Sequence, residues 1–271
     1  MSDMTTSPSN PAAIEAVFGE GDPRDPAIHQ AQSMRAEWRK FGAFLKRPAL
    51  PEEIAPGGIA TRAMGRMIVL DLIIMGTLIA ILMAVVALGV ELPENLNAQL
   101  DLNAGTIALI VIAAPVLEEL VFRGWLSGKP GYLVAFAIML GAGVVAAMQG
   151  VANTGEEATL GVGLSILGGL VLAIIALIAL RKRPPMRWFA ALFPVFFWLS
   201  AAGFALVHLL NYTEGTLLAL LPLLLPQFIL GTIAAYSRVN YGLWTAIVTH
   251  AAHNGFAISL ALLAMAAGME G

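Results

Sequence analysis

The sequence predicts an all-α, polytopic transmembrane bundle of about seven spans, within a range of six to eight, and three observations predict it. The 271 residues are 58% hydrophobic and 12% charged, whereas soluble domains are roughly 45–50% apolar and about 25% charged. The mean hydropathy is +0.80. Seven apolar runs have about the 20 residues that a membrane-spanning helix needs. They occupy residues 67–90, 103–126, 131–152, 159–180, 188–210, 216–236 and 243–267.

Composition excludes several classes of function. The sequence has no cysteine, so disulfides, thiol catalysis and cysteine metal ligands are excluded. The net charge of −3 gives no basic surface for nucleic acid, and we expect no nucleic-acid partner. Residues 1–25 are polar and begin without an apolar run, which predicts a disordered tail and no signal peptide.

Residues 1–60 are predicted to form a cytoplasmic region, and residues 61–271 the transmembrane bundle. Apolar residues recur at helical spacing within residues 27–47 and are interleaved with basic ones, which is typical of an amphipathic helix at the membrane interface. An ordinary helix docked on the bundle is the alternative. The apolar residues are Met34, Trp38, Phe41, Phe44 and Leu45, and the basic ones are Arg35, Arg39, Lys40, Lys46 and Arg47.

Positive charge predicts the orientation, because Lys and Arg collect on the cytoplasmic side of a membrane. If seven spans alternate, all the basic residues near span ends fall on one side. The N-terminus is therefore expected in the cytoplasm and the C-terminus outside. The basic residues are Arg62, Arg66, Arg123, Lys129, Arg181, Lys182, Arg183, Arg187 and Arg238, and the opposite loops carry Glu91, Glu94, Asp101, Glu156, Glu157 and Glu214.

Several polar or ionisable side chains lie inside the apolar runs. Each is costly in hydrocarbon and is expected to face the bundle interior or a water-filled cavity. Asp71 lies near the start of the first predicted span. The others are Glu118, Glu119 and Arg123 in the second span, His208 in the fifth, and His250, His253 and Asn254 in the seventh.

The second span contains two adjacent carboxylates with different prospects. Glu119 and Arg123 are four residues apart, so they share a helical face and can pair. Glu118 lies about 100° around the helix and is left free for chemistry. Pro115 removes one backbone hydrogen bond and is expected to kink the helix. The alternative is that both glutamates only pair with Arg123 and bind neighbouring helices.

The polar residues of the other spans supply partners for Glu118. His250 and Asn254 share one helical face, and Phe204 and His208 share another. A buried carboxylate near an imidazole can take a proton from water, and His and Asn side chains can donate hydrogen bonds to an oxyanion. This inventory suits peptide-bond hydrolysis, although two His and one Glu also match some catalytic zinc sites.

Three short motifs give the sequence a resemblance to a known family. Pro115–Gly124 contains a Glu-Glu-x-x-x-Arg pattern, Phe204–His208 a Phe-x-x-x-His pattern, and His250–Asn254 a His-x-x-x-Asn pattern. In this order, each within its own apolar run, they resemble the CPBP intramembrane proteases, the CAAX-protease and bacteriocin-processing (ABI) family. The Phe228, Gly231 and Arg238 run also looks like the stretch before the third motif. The resemblance covers about residues 103–260.

The resemblance implies a role for each motif residue. Glu118 would be the general base acting on water, and His208 would position that water or the scissile carbonyl. His250 and Asn254 would stabilise the oxyanion, with Glu119 and Arg123 supporting the site. No cofactor is favoured, and zinc held by Glu118, His208 and His250 is the alternative.

One feature departs from the family pattern. Roughly 80 residues separate Arg123 from Phe204, enough for two additional spans of about 20 residues each, whereas the family usually has these motif helices consecutive. His208 also falls late in a span that runs outward. A break near Pro194, with residues 188–194 at the interface, would bring His208 closer to the depth of Glu118.

The function expected is that of an intramembrane endopeptidase in the bacterial inner (plasma) membrane, acting on membrane-associated substrates of prenylated or bacteriocin type. Its expected partners are membrane lipid and a peptide or protein substrate. The alternatives are a non-catalytic immunity or scaffold protein and an ion- or proton-coupled transporter. The lack of repeat symmetry counts against the transporter.

Overall fold

The computed structural model of the protein describes residues 31–268. The tail predicted at residues 1–25 and the first residues of the helix predicted at 27–47 lie outside the described residues. Within the described part, no residue belongs to a β-strand; an isolated bridge joins Asn95 to Tyr212. The predicted all-α fold class is therefore confirmed.

Seven helices of the described chain are long and apolar enough to cross a membrane, and the predicted number of spans is confirmed. A shorter helix, α1 (Met34–Lys46), precedes them. The spans are α2 (Gly57–Ala87), α3 (Ala104–Ser127), α4 (Pro130–Ala152), α5 (Gly155–Leu180), α6 (Phe193–Asn211), α7 (Leu217–Tyr241) and α8 (Leu243–Ala266).

The first spanning helix begins about three turns earlier than residue 67, where the apolar run begins. It starts at Gly57, directly after Pro56, and includes Arg62, which is exposed. Hydropathy did not predict this start, because the helix continues through a basic segment that precedes the apolar run. As a consequence, Asp71 lies near the middle of α2 rather than near its start. The stripe that α2 buries consists of Ala60, Ala63, Met67, Asp71 and Met75.

The short helix α1 packs its aromatic face against the bundle. The ring of Phe44 lies 5.3 Å from that of Phe197 and 5.2 Å from that of Tyr236. Glu37, which is 1% exposed, accepts hydrogen bonds from the hydroxyls of Tyr236 at 2.7 Å and Tyr241 at 2.6 Å. The aromatic face of α1 is therefore docked on the bundle. The basic residues Arg35, Arg39, Lys46 and Arg47 are exposed.

The central helix of the bundle is α7, which contacts α2, α6 and α8. Every residue from Leu230 to Val239 is buried. Its neighbour α6 is separated from a short helix, Arg187–Ala191, by a break at Leu192, and Pro194 occupies the first turn of α6. The break expected near Pro194 is therefore present, and the spanning part of α6 begins at Phe193.

The two additional spans, α4 and α5, form an antiparallel hairpin whose helices pack mainly on each other. Gly169 allows the close approach, because an added Cβ would overlap the Cβ of Ala142. The hairpin joins the bundle near the beginning of α4, where the ring of Phe136 stacks on Trp125 at 5.6 Å. The motif-bearing helices α3, α6 and α8 pack together beside it.

Candidate active site

The helix that carries the glutamates is irregular just before them. Residues Leu109–Ala113 form a π-helical turn, in which the N–H of Ala114 bonds to the carbonyl of Leu109. In that register the carbonyl of Ile110 would bond to residue 115, but Pro115 has no N–H. The side-chain amide of Asn254 donates to the Ile110 carbonyl at 2.9 Å instead. The expected disturbance by Pro115 thus takes the form of a π turn that α8 completes.

One carboxylate oxygen links two of the motif helices. Glu119 Oε1 accepts a hydrogen bond from Arg123 Nη1 at 2.9 Å and another from His250 Nδ1 at 2.9 Å. The side chains of Glu119 and Arg123 are 0% exposed, and that of His250 is 2% exposed. Because this hydrogen bond assigns a proton to Nδ1, the Nε2 atom of His250 is directed away from Glu119.

That second ring nitrogen faces the neighbouring carboxylate. His250 Nε2 lies 3.8 Å from Glu118 Oε2, and the Glu118 side chain is 33% exposed. Glu118 is thus the more accessible of the two glutamates, as the 100° offset predicts. A distance of 3.8 Å is too long for a direct hydrogen bond. The two groups are close enough to act on the same bound molecule.

The ring of Phe204 brings the remaining motif residues together. Its centroid lies 4.8 Å from the imidazole of His208, 5.3 Å from that of His250, and 4.0 Å from the guanidinium carbon of Arg123. His208 Nδ1 donates to the carbonyl of Phe204 at 2.7 Å. The Phe204 ring therefore joins His208 to His250, and His250 in turn lies beside Glu118.

Helix α7 holds the C-terminal end of α3 in place through Arg238. Arg238 donates from Nε to the carbonyl of Arg123 and from Nη2 to that of Gly124, both at 3.1 Å. These carbonyls lie at the end of the α-helical part of α3, where backbone acceptors lack helical partners. Gly231 lies beside Arg123 Nη2, which an added Cβ would approach to 3.2 Å.

Sequence reasoning missed one contributor to this site, Ser200, and one contact beside the site, between His253 and Asp71. Ser200 donates from Oγ to the carbonyl of Phe122 at 2.7 Å; its spacing of four from Phe204 was the available signal. His253 donates from Nδ1 to Asp71 Oδ2 at 2.8 Å, and both side chains are buried. Asp71 and His253 were each noted as polar groups in apolar runs, but nothing in one helix predicts its partner in another.

The side chains suggested as zinc ligands do not fit a metal as they stand. Among residues 31–268, no three His, Asp or Glu side chains are grouped in a way that would hold a metal ion. The Nδ1 hydrogen bonds of His208 and His250 leave both Nε2 atoms available, so the spacing of the side chains, and not these bonds, is what counts against a metal. We therefore derive no step through zinc at Glu118, His208 and His250.

A protein-family model described as Type II CAAX prenyl endopeptidase Rce1-like matches residues 101–256, more than half of the chain. The chain belongs to this family. Searches of curated proteins and of solved structures find no match. The Rce1-like family is a protease family, so this chain is an integral membrane member of a family of peptidases. The matched region contains all three motifs and agrees with the region 103–260 expected from the resemblance.

The match to the Rce1-like family model does not cover the whole chain. Helices α1 and α2 lie before residue 101, and the end of α8 lies after residue 256. The matched region includes the α4–α5 hairpin. The Rce1-like core therefore rests, in this protein, against two helices that the family model does not describe.

Proposed function

We propose that the protein is an intramembrane endopeptidase in which Glu118 activates water. The observation that carries the proposal is the arrangement of His250 between two glutamates, one buried and one partly exposed. Glu119 fixes the direction of the imidazole, and Glu118 offers a partly exposed side chain whose buried Oε2 has no hydrogen-bond partner among the described residues. A carboxylate and an oriented imidazole at one point are what a general base and an oxyanion donor require.

The proposed oxyanion role requires the imidazolium form of His250, because Nδ1 already donates to Glu119. Glu118 and Glu119 contribute two negative charges, and Arg123 contributes one positive charge. With an imidazolium at His250 the sum is zero, which lowers the cost of keeping the cluster within a bilayer. In that state, Nδ1 donates to Glu119 and Nε2 has a proton to give to an oxyanion.

The proposed reaction is acyl transfer to water. Glu118 removes a proton from a water molecule as the oxygen adds to the scissile carbonyl carbon. His250 Nε2 donates a hydrogen bond to the resulting oxyanion, and His208 orients the water or the carbonyl. When the C–N bond breaks, Glu118 returns the proton to the leaving amine, and the carboxylate is regenerated. Asn254 has one amide N–H beyond the one given to Ile110, and this second N–H is a further oxyanion donor.

The proposed substrate is the C-terminal segment of a prenylated protein or another membrane-held peptide. The family name specifies CAAX prenyl endopeptidases, and a site that lies inside a bilayer suits a substrate with a lipid tail. The proposed location is the bacterial inner membrane, with the N-terminus in the cytoplasm. The basic residues at one set of span ends support this orientation.

The test uses the purified protein in liposomes and a quenched fluorescent CAAX peptide, with and without a farnesyl group. We expect cleavage of the farnesylated peptide, and Glu118→Gln should lower kcat/KM by about 10²–10⁴-fold, the usual contribution of a general base. Glu157→Gln, a change at an exposed glutamate in the first turn of α5, is the matched control. Cleavage by Glu118→Gln at the wild-type rate would exclude this mechanism. A farnesylated peptide that stays uncleaved by the wild-type protein would exclude this substrate.

A further inference from the structure

A second buried pair lies outside the cluster just described. Asp71 Oδ2 accepts a hydrogen bond from His253 Nδ1 at 2.8 Å, joining α2 to α8. Asp71 is 2% exposed and His253 is 5% exposed. Two ionisable groups inside spanning helices are costly, and such residues are usually retained for a function. The proposed chemistry uses neither of them.

The pair lies on α8 beside the proposed catalytic residues. His253 is three residues after His250, about 60° around the helix, and directly precedes Asn254. His250 and Asn254 bond to α3, through Glu119 and the Ile110 carbonyl. His253 bonds to α2 instead. Buried hydrogen bonds therefore hold α8 on two flanks, and together they oppose rotation about its own axis.

The surroundings of Asp71 make this the polar point of an otherwise apolar contact. The buried stripe of α2 reads Ala60, Ala63, Met67, Asp71 and Met75. The apolar side chains along this stripe carry no directional bond. The hydrogen bond between Asp71 and His253 is a directional contact between α2 and α8 at one level along the two helices.

We infer that Asp71 is a positioning residue, which acts through His253 to fix the rotation of α8 and so to aim His250 Nε2 at the reacting centre. The inference rests on the proposed peptidase function. It also assigns a role to α2, which lies before the matched residues 101–256. In this protein the catalytic geometry would then depend on a helix outside the residues that the family model matches.

Three variants separate positioning from simple stabilisation. Asp71→Asn keeps an oxygen that accepts from His253. Asp71→Leu removes it and leaves His253 buried without its partner. The double variant Asp71→Leu/His253→Leu replaces both by apolar groups, a change that often restores the stability lost by breaking one side of a buried pair.

The first measurement compares kcat, KM and the unfolding midpoint in the liposome assay. We expect Asp71→Asn to keep kcat within about threefold, and Asp71→Leu to lower kcat by about 10–10²-fold with KM nearly unchanged, as misalignment of a catalytic group does. The double variant should regain the wild-type midpoint but keep the low kcat. Wild-type kcat in the double variant, or in Asp71→Leu, would overturn the inference.

The second measurement does not depend on activity. The sequence has no native cysteine, so nitroxide labels at Ile81→Cys and Leu263→Cys, both lipid-exposed positions on α2 and α8, report on these helices alone. We expect the interspin distance distribution to shift or broaden in Asp71→Leu and in the double variant, but not in Asp71→Asn. An unchanged distribution in all three would overturn the inference. A shifted distribution in a protein that cleaves no peptide would refute the proposed function but leave the helix-fixing contact in place.

Discussion

The side-chain amide of Asn254 donates a hydrogen bond to the backbone carbonyl of Ile110. This carbonyl lacks a helical donor because residue 115 is a proline. We expect Asn254→Leu to cost about 0.6–2 kcal/mol of unfolding free energy, the range measured for hydrogen bonds between membrane helices. In a Pro115→Ala background, which restores an N–H, the same change should cost less. Unfolding in detergent measures both, and equal costs in the two backgrounds would contradict this account.

Glu118 and Glu119 are adjacent in sequence, but we expect their substitution to cost different amounts of unfolding free energy. Glu119→Gln leaves the buried guanidinium of Arg123 without its charged partner, and removal of one side of a buried pair costs about 3–5 kcal/mol. Glu118→Gln, at a side chain that is 33% exposed, should cost about 1 kcal/mol or less. Chemical unfolding measures the loss of unfolding free energy in each variant. An equal loss in the two variants would contradict the prediction.

Gly231 determines how closely α7 approaches the site. An added Cβ would lie 3.2 Å from both Arg123 Nη2 and the carbonyl of Ala201. We expect Gly231→Leu to cost about 1–3 kcal/mol by overpacking and to reduce peptidase activity. Gly76→Leu on α2 is the control, because its added Cβ meets open space. A similar unfolding midpoint for the two variants would show that α7 has room to move.

Tyr212 provides a prediction about pH in the loop that follows α6. Burial raises the pKa of Tyr212 above its ordinary value, and a hydrogen bond with Asn95 opposes this increase. A raised pKa in the folded state gives stability that is complete below the unfolded value of about 10 and is lost as pH rises through the folded value. The wild-type should therefore lose more stability than Tyr212→Phe between neutral and strongly alkaline pH. The measurement is the melting temperature of each protein as a function of pH. An equal decrease in melting temperature for the two proteins would contradict the prediction.

Metal removal distinguishes the two forms of hydrolysis considered for this cluster. We expect peptide cleavage to be unchanged after incubation with excess EDTA or phenanthroline, since no three His, Asp or Glu side chains among residues 31–268 are grouped to hold a metal ion. Farnesylated-peptide cleavage before and after chelation is the measurement. Loss of cleavage that added zinc restores would show a metal-dependent site with a different arrangement of these side chains.

The sequence predicts the spans and the membership of the site better than it predicts contacts. Spacing within one helix indicates the Glu119–Arg123 pair and the separate direction of Glu118, because helical periodicity is a local property. The partner of His253 is not predictable in this way, since Asp71 lies 182 residues away in another helix. The start of α2 was misjudged for a related reason, because a hydropathy window stops at Arg66 whereas the helical backbone continues.

Buried polar residues in α1 show the same limit. Glu37 lies on the apolar face formed by Met34, Trp38 and Phe41, and this position was the available sign of burial. Its bonds to Tyr236 and Tyr241 require knowledge of how α1 sits on α7. Local pattern thus predicts which groups must find partners, while only the packing of the helices reveals which partners they find.

The α4–α5 hairpin has a consequence for the ancestry of the architecture. A pair of antiparallel spans returns the chain to the side from which it left, so a relative that lacked residues 130–180 would thread every later helix through the bilayer in the same direction. The hairpin adheres chiefly to itself and to Trp125. Removal of the hairpin as one block would not invert the helices that carry His208 and His250.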